Sequence, residues 1–159
     1  MIEIRIQSEH FDASKEIEKF QENKKDGAFV CFLGSVRDVN GDAPLKKLEI
    51  EHYPKMAEKV LNKTATEAFK KWNLSQCLII HRFGKLNIND PIVLIITQTS
   101  HRKDAFHANE YIIDFLKINA PFWKREYTDK NNYWVSPVSY THLRAHETRG
   151  NLVCRLLLE

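Results

Sequence analysis

Pro121 constrains this chain more than any other residue, because it stands in the middle of Leu116-Lys-Ile-Asn-Ala-Pro-Phe-Trp-Lys-Arg-Glu126. On an unbroken helix, Lys117 and Lys124 would stack on one face, two turns apart. A proline there lacks the N–H, clashes with the preceding turn and pushes Ala120 toward extended backbone. Lys117 must therefore close a helix, while Lys124 rides on the segment that leaves it. A helix end and the strand after it can aim two ammonium groups at one small volume. Such a volume wants an anion.

The pattern around this junction predicts an α+β fold. Ile2, Ile4 and Ile6 alternate with polar residues as a strand does. Asp12 or Ser14 can cap a helix carrying Ile17 and Phe20, ending near Lys24–Asp26 before Gly27. Gly27–Val36 reads as a long apolar strand, 37–44 as a loop and Leu45–Tyr53 as an alternating strand. Pro54 suits the first turn of a helix to about Trp72, with Ala57, Val60, Leu61, Thr64, Ala68 and Phe69 inside. Leu78–Phe83 and Ile92–Thr99 read as strands joined by a turn-rich connection over 84–91. His101–Asn119 is the third helix, packing through Phe106, Ala108, Tyr111, Ile112 and Phe115. Phe122–Thr128 and Tyr133–Val135 close the pattern as two strands around a turn at Asp129-Lys-Asn-Asn. Strands paired between helices point to mixed or antiparallel sheets with three helices, not to a doubly wound sheet.

Bulk properties exclude several classes. The 159 residues suffice for a real core, and a 43% hydrophobic, 28% charged composition is ordinary for a soluble domain. A net charge of +3 is too mild to argue for nucleic acid. The longest apolar runs, such as Ile92–Ile96, are strand-length, so no membrane span is expected. The opening Met1-Ile-Glu-Ile-Arg-Ile reads as a strand, not a signal peptide. Cys31, Cys77 and Cys154 are far apart, and Cys31 and Cys77 sit in apolar runs as small core residues. A reducing cytoplasm is the expected location.

Residues 138–159 break this grammar and resemble vector-derived read-through, so the functional domain is expected over 1–137. His142, His146 and Glu147 there superficially suggest a helical metal pair. No third ligand is specified and the order differs from His-Glu-x-x-His, so no metal site is expected.

Four clusters could carry chemistry. Gly34-Ser-Val-Arg37 ends a strand, where Gly34 permits close backbone approach and Arg37 offers a planar fork for phosphate or carboxylate; a surface ion pair is the plain alternative. His81-Arg-Phe-Gly84 ends another strand, and His81 reads as a satisfied, half-buried residue or an interface contributor. Ser100-His-Arg-Lys103 opens a helix, whose free N–H groups would add to His101 and Arg102 as anion donors. In the fourth, Phe122 and Trp123 could wall a heteroaromatic ring beside Lys117 and Lys124. A solvated basic patch is the other reading of that cluster, and a non-catalytic anion- or RNA-binding module using Arg37, Arg102, Lys117, Lys124 and Arg125 remains a rival function.

Five segments together carry a resemblance. Gly27-Ala-Phe-Val-Cys-Phe-Leu-Gly-Ser-Val-Arg37, Leu48-Glu-Ile-Glu-His-Tyr-Pro54, His81-Arg-Phe-Gly84, Ser100-His-Arg-Lys-Asp-Ala-Phe106 and Leu116–Glu126 are similar, in order and spacing, to the large, catalytic subunit family of molybdopterin synthase (the MoaE type). The resemblance covers about residues 1–137 and implies an α/β-hammerhead-like architecture. It also implies sulfurtransferase activity: a small ubiquitin-like sulfur carrier inserts its C-terminal Gly-Gly thiocarboxylate, and cyclic pyranopterin monophosphate receives two sulfurs to become molybdopterin.

By resemblance, Lys117 and Lys124 flank the thiocarboxylate as the catalytic pair. Arg37, His101 and Arg102 hold the substrate phosphate with help from Arg125. Ser35 and Val36 line the pterin site through their backbone, and Glu126 completes the substrate-binding set. No metal or bound cofactor is implied, since the attacking sulfur belongs to the partner. The family's assembly is a large-subunit dimer with a small subunit at each end, a heterotetramer. Asn89-Asp-Pro91 stands where relatives often have Gly-Asp, and Asn tolerates the left-handed geometry such a turn needs.

Overall fold

Alternating side chains and two proline-marked junctions settle most of the chain. The computed structural model describes residues 1–21, 26–40, 43–129 and 132–135. Its elements run β1 (Ile2–Gln7), α1 (Ala13–Gln21), β2 (Ala28–Ser35), β3 (Val39–Asn40), β4 (Ala43–His52) and α2 (Pro54–Lys71). They continue with β5 (Gln76–Arg82), β6 (Gly84–Asn87), β7 (Pro91–Thr99), α3 (Arg102–Asn119), β8 (Phe122–Thr128) and β9 (Asn132–Val135). This is the expected α+β class, with three helices and two sheets among the described residues.

One sheet has the order β1-β5-β7-β2, parallel only between β1 and β5. The other orders β3-β4-β8-β9, with β6 also paired to β4. The first sheet is covered on both faces. On one side Ile79 and Ile95 pack with Leu61, Ala65 and Ala68 of α2 and Ala108 and Ile112 of α3. On the other, Leu78, Ile80, Leu94 and Ile96 meet Phe20 of α1 and Phe11, which precedes it. A third cluster, Val36, Leu45, Leu48, Ile50, Leu86 and Ile92, joins the two sheets.

Local chemistry explains the helix boundaries. Asp12 caps α1, its Oδ1 accepting from the backbone N–H of Ser14 and Lys15. Pro54 occupies the first turn of α2. Ala120, with φ −76° and ψ 135°, ends α3 in extended backbone before Pro121.

Several expectations are corrected. The predicted loop over 37–44 contains β3 and the start of β4, and the predicted connection over 84–91 contains β6. These strands are short and carry little apolar alternation, so pairing with β4 defines them more than sequence pattern does. Phe106 is exposed; the face of α3 that packs is Ala105, Ala108, Asn109 and Ile112. Asn109 can sit there because its amide donates to the carbonyls of Val30 and Ile95 and to Thr97 Oγ1. Cys77 is buried as expected, but Cys31 faces outward on β2, an end strand of its sheet. The tail at 138–159, with His142, His146, Glu147 and Cys154, lies outside the described residues, as does the centre of the turn after Asp129.

Candidate functional site

Matched lengths place Lys117. The nine residues of β7 span about 30 Å and the 18 residues of α3 about 27 Å. Helix α3 starts just past the end of β7 and packs back along β7 and β2. It therefore returns the chain to the level where β7 began. Lys117 lies exposed in its last turn. Strand β2 runs antiparallel to β7 and pairs Ser35 with Pro91, so Arg37 emerges at the same end. Pro121 then redirects the chain into β8, which carries Lys124.

Strand alternation decides which β8 side chains join them. Phe122, Lys124 and Glu126 share one face, opposite His52, Ile50 and Leu48 of β4. That face continues the third core cluster, so Lys124 is partly enclosed. Its amine is held below the ordinary lysine range, first by burial, then by the charge of Lys117, with Arg37 adding repulsion and Glu126 opposing the shift. Three cations thus converge at one end of the molecule. Glu126 is buried two residues along the same face and accepts a hydrogen bond from the Tyr133 hydroxyl at 3.1 Å.

Arg125 does not join the cluster. It points to the opposite face of β8, where its guanidinium lies 4.2 Å from the Trp134 ring centroid. Trp123 shares that outer face, with its ring 5.1 Å from Tyr53, so it cannot wall a ligand held by Lys124. Phe122 is on the correct face but is used internally. Its ring stacks on His81 at 3.8 Å and lies 5.8 Å from His52.

Ser35 is exposed beside Arg37, whereas Val36 is buried. The Val36 N–H donates to the Asp90 carbonyl at 2.9 Å, and its own carbonyl accepts from the Asn89 N–H at 2.8 Å. Its backbone groups are already engaged, contrary to the expectation that they face a ligand. Asn89 adopts φ +68°, the left-handed geometry expected of it. Gly34 allows the close approach expected of it, since a Cβ there would stand 2.9 Å from a Val93 methyl.

His101 and Arg102 lie at the other end of the chain's architecture. Lys117 comes fifteen positions after Arg102 on the helix, about 22 Å along the axis. A Cβ on Gly27 would lie 3.2 Å from the Ser100 carbonyl, which fixes this corner at the start of β2, while Arg37 follows its end. One copy of the chain does not bring all the expected phosphate ligands together.

The family model described as MoaE protein matches residues 6–119. The chain belongs to the MoaE family. A relative from Haemophilus influenzae named molybdopterin synthase catalytic subunit is 42% identical over 134 residues, spanning 84% of this chain and 89% of the relative. A solved MoaE protein from Burkholderia ambifaria is 41% identical with a TM-score of 0.75, covering 92% of this chain and 97% of that one. Molybdopterin synthase from Staphylococcus aureus, at 38% identity and TM-score 0.75, covers 84% and 96%. One chain of a complex of subunits 1 and 2 of molybdopterin-converting factor from Helicobacter pylori matches at 24% identity and TM-score 0.69, covering 87% and 92%, a likeness of fold.

In this MoaE-family chain, the fold adds His52 to the neighbours of the cluster, its ring beside Phe122, which stacks on His81. His81 is buried with its pKa down to about 3, chiefly from burial and next from Lys124. His52 is also shifted down by burial. The signal was present in His81-Arg-Phe-Gly84, but only the fold shows that this strand end abuts Phe122. Among the described residues, no group of three or more His, Cys, Asp or Glu is arranged to hold a metal, and no helix is long and apolar enough to cross a membrane.

Proposed function

We propose that this chain is the catalytic subunit of a molybdopterin synthase and acts as a sulfurtransferase in molybdenum cofactor biosynthesis. The observation that carries the mechanism is the convergence of Lys117, Lys124 and Arg37 at one end of the fold, with Lys124 partly enclosed. The reaction joins two anions, the C-terminal thiocarboxylate of a small ubiquitin-like Gly-Gly carrier and the phosphate of cyclic pyranopterin monophosphate. Two like charges ~4 Å apart at an effective dielectric near 20 repel by about 4 kcal/mol, so fixed cations decide whether the reactants can meet.

Lys117 and Lys124 take the thiocarboxylate between them and stabilise charge as the carrier's sulfur attacks the pterin side chain. A lysine with a lowered pKa also gives up and recovers a proton more readily near neutral pH. Arg37 receives the substrate phosphate through its planar fork, with Ser35 beside it. Glu126 restrains the cation face from within.

His101 and Arg102 complete the phosphate site from a second copy of the chain. The end strand β2 leaves Cys31 and Leu33 exposed. An antiparallel pairing of two β2 edges would lay the His101 corner of one copy beside the Arg37 end of the other. Such a dimer, with one carrier bound at each composite site, gives a heterotetramer. The Helicobacter pylori neighbour comes from a two-subunit complex, which is in keeping with this assembly.

Complementation tests this reading. Lys117→Ala and Arg102→Ala chains should each fail to convert the cyclic substrate with thiocarboxylated carrier. Mixed and re-associated, they should recover up to about one quarter of normal turnover, because half the dimers then hold one intact site. Near-normal turnover by Lys117→Ala alone would refute the catalytic assignment; two inactive variants that do not complement would refute the composite site.

A further inference from the structure

We propose that the dipeptide His81-Arg82, at the end of β5, is the positioning element that sets Lys124 and Arg37 relative to each other. Its two side chains point to opposite faces of the strand, and each grips one arm of the site. This rests on reading Lys124 and Arg37 as parts of one anion site.

The His81 arm reaches Lys124 through a column of rings. His81 lies 3.8 Å from Phe122 with planes 14° apart, Phe122 lies 5.8 Å from His52, and His52 lies 4.3 Å from Phe83. Phe122 follows Pro121 directly and precedes Lys124 by two residues on the same face. Its ring therefore fixes where β8 departs from α3 and walls off one side of Lys124. The His81 ring cannot rotate freely. Its Nδ1 lies 2.9 Å from the Arg82 carbonyl, which only accepts, so Nδ1 carries the proton. The ring stays neutral in this cationic neighbourhood, where a charged imidazole would repel Lys124.

The Arg82 arm reaches Arg37 through a turn. Its guanidinium is buried and donates through Nε and Nη2 to the Ser8 carbonyl at 3.3 and 3.1 Å, and through Nη1 to the Pro91 carbonyl at 3.1 Å. The Asp90 carboxylate lies 3.7 Å from Nη1. That holds the 87–91 turn, which in turn holds both backbone groups of Val36, the residue before Arg37. A lysine could not replace this fork, having one nitrogen where Arg82 uses three.

The two arms make separable demands on full-length variants carrying 13C-labelled lysine. In Phe122→Leu, water reaches Lys124, so its titration should move up toward the ordinary range by at least about half a pH unit. Its kcat should fall about ten-fold or more, with KM within about two-fold. In Arg82→Lys, the Lys124 titration should hold while KM for the cyclic substrate rises about ten-fold. Ile96→Val, a buried change in the core beneath α1, should lower the melting temperature and move neither quantity.

Should Phe122→Leu fail to fold, His81→Gln takes its place with the same expectation, since it removes the ring and keeps a donor. A folded variant that matches wild type in its own readout overturns the proposal. The lysine titration does not depend on turnover. If wild type itself fails to turn over, the functional reading falls while the titration still tests the positioning.

Discussion

Lys124 is held below the ordinary lysine range by its own burial first and by the ammonium of Lys117 second, across the break that Pro121 makes between them. The relation is asymmetric in structure: Lys117 stands exposed on a helix end while Lys124 is partly enclosed on a strand. An anion arriving between them relieves both the repulsion and the lost hydration of Lys124.

Removing Lys117 should therefore raise the Lys124 titration without returning it fully to the ordinary value, because the burial remains. Turnover should fall by about 100-fold or more, the scale expected when a positioned proton-transfer or charge-stabilising group is lost. Lysine-specific NMR titration of Lys117→Ala checks the first part, and a single-turnover assay with thiocarboxylated carrier checks the second. A Lys124 titration that stays put would mean the two charges do not interact.

Acid should destabilise the protein through His81. Its folded pKa, about 3, lies below the ordinary 6.5, so between these values the unfolded chain binds a proton that the folded chain refuses. Stability from this group is complete above about pH 6.5 and is lost as pH falls toward 3, with a slope of about 1.4 kcal/mol per pH unit. Carboxylates also titrate over this range, so the informative quantity is a difference. Urea denaturation of wild type and His81→Gln from pH 4 to pH 6 should show curves that converge toward acid. Parallel curves would mean His81 is protonated in the fold.

The helix break at Pro121, the apolar strands and the capped or proline-led helices were legible because each depends on local backbone chemistry. The cation cluster was half legible. Lys117 and Lys124 follow from the break, and Arg37 from its strand end. Strand alternation already turns Arg125, between Lys124 and Glu126, to the other face of β8, where it meets Trp134. The resemblance places His101 and Arg102 with Arg37 on the substrate phosphate, but the length of α3 sets Arg102 about 22 Å from Lys117, at whose end Arg37 emerges, within one copy. Phe106 illustrates the remaining limit. A helix face is chosen by what packs on it, and Asn109 displaced Phe106 by finding hydrogen-bond acceptors that only the folded sheet supplies.

Residues 138–159 should be dispensable if the catalytic unit ends near 137. A chain truncated after residue 137 should retain wild-type turnover and form the same complex with the carrier, as judged by single-turnover assay and sedimentation. Loss of activity or assembly would show that the segment belongs to the working protein and that the domain boundary is misplaced.

Asn89 should be the most sensitive position in the turn that supports Arg37. Its φ of +68° lies in the left-handed region, where asparagine is tolerated and most side chains carry about 1–2 kcal/mol of steric cost. Asn89→Ala should lower stability by about 1 kcal/mol, while Asn89→Gly should stay within a few tenths because glycine adopts this backbone freely. The Asn89 N–H donates to the Val36 carbonyl, so strain here also loosens the residue before Arg37. Asn89→Ala should accordingly raise KM for the cyclic substrate more than it lowers kcat, since Arg37 acts in binding the phosphate. Chemical denaturation and steady-state kinetics of the two variants separate these effects. Equal stability of Asn89→Ala and wild type would mean the turn is not strained, and an unchanged KM would detach this turn from the phosphate site.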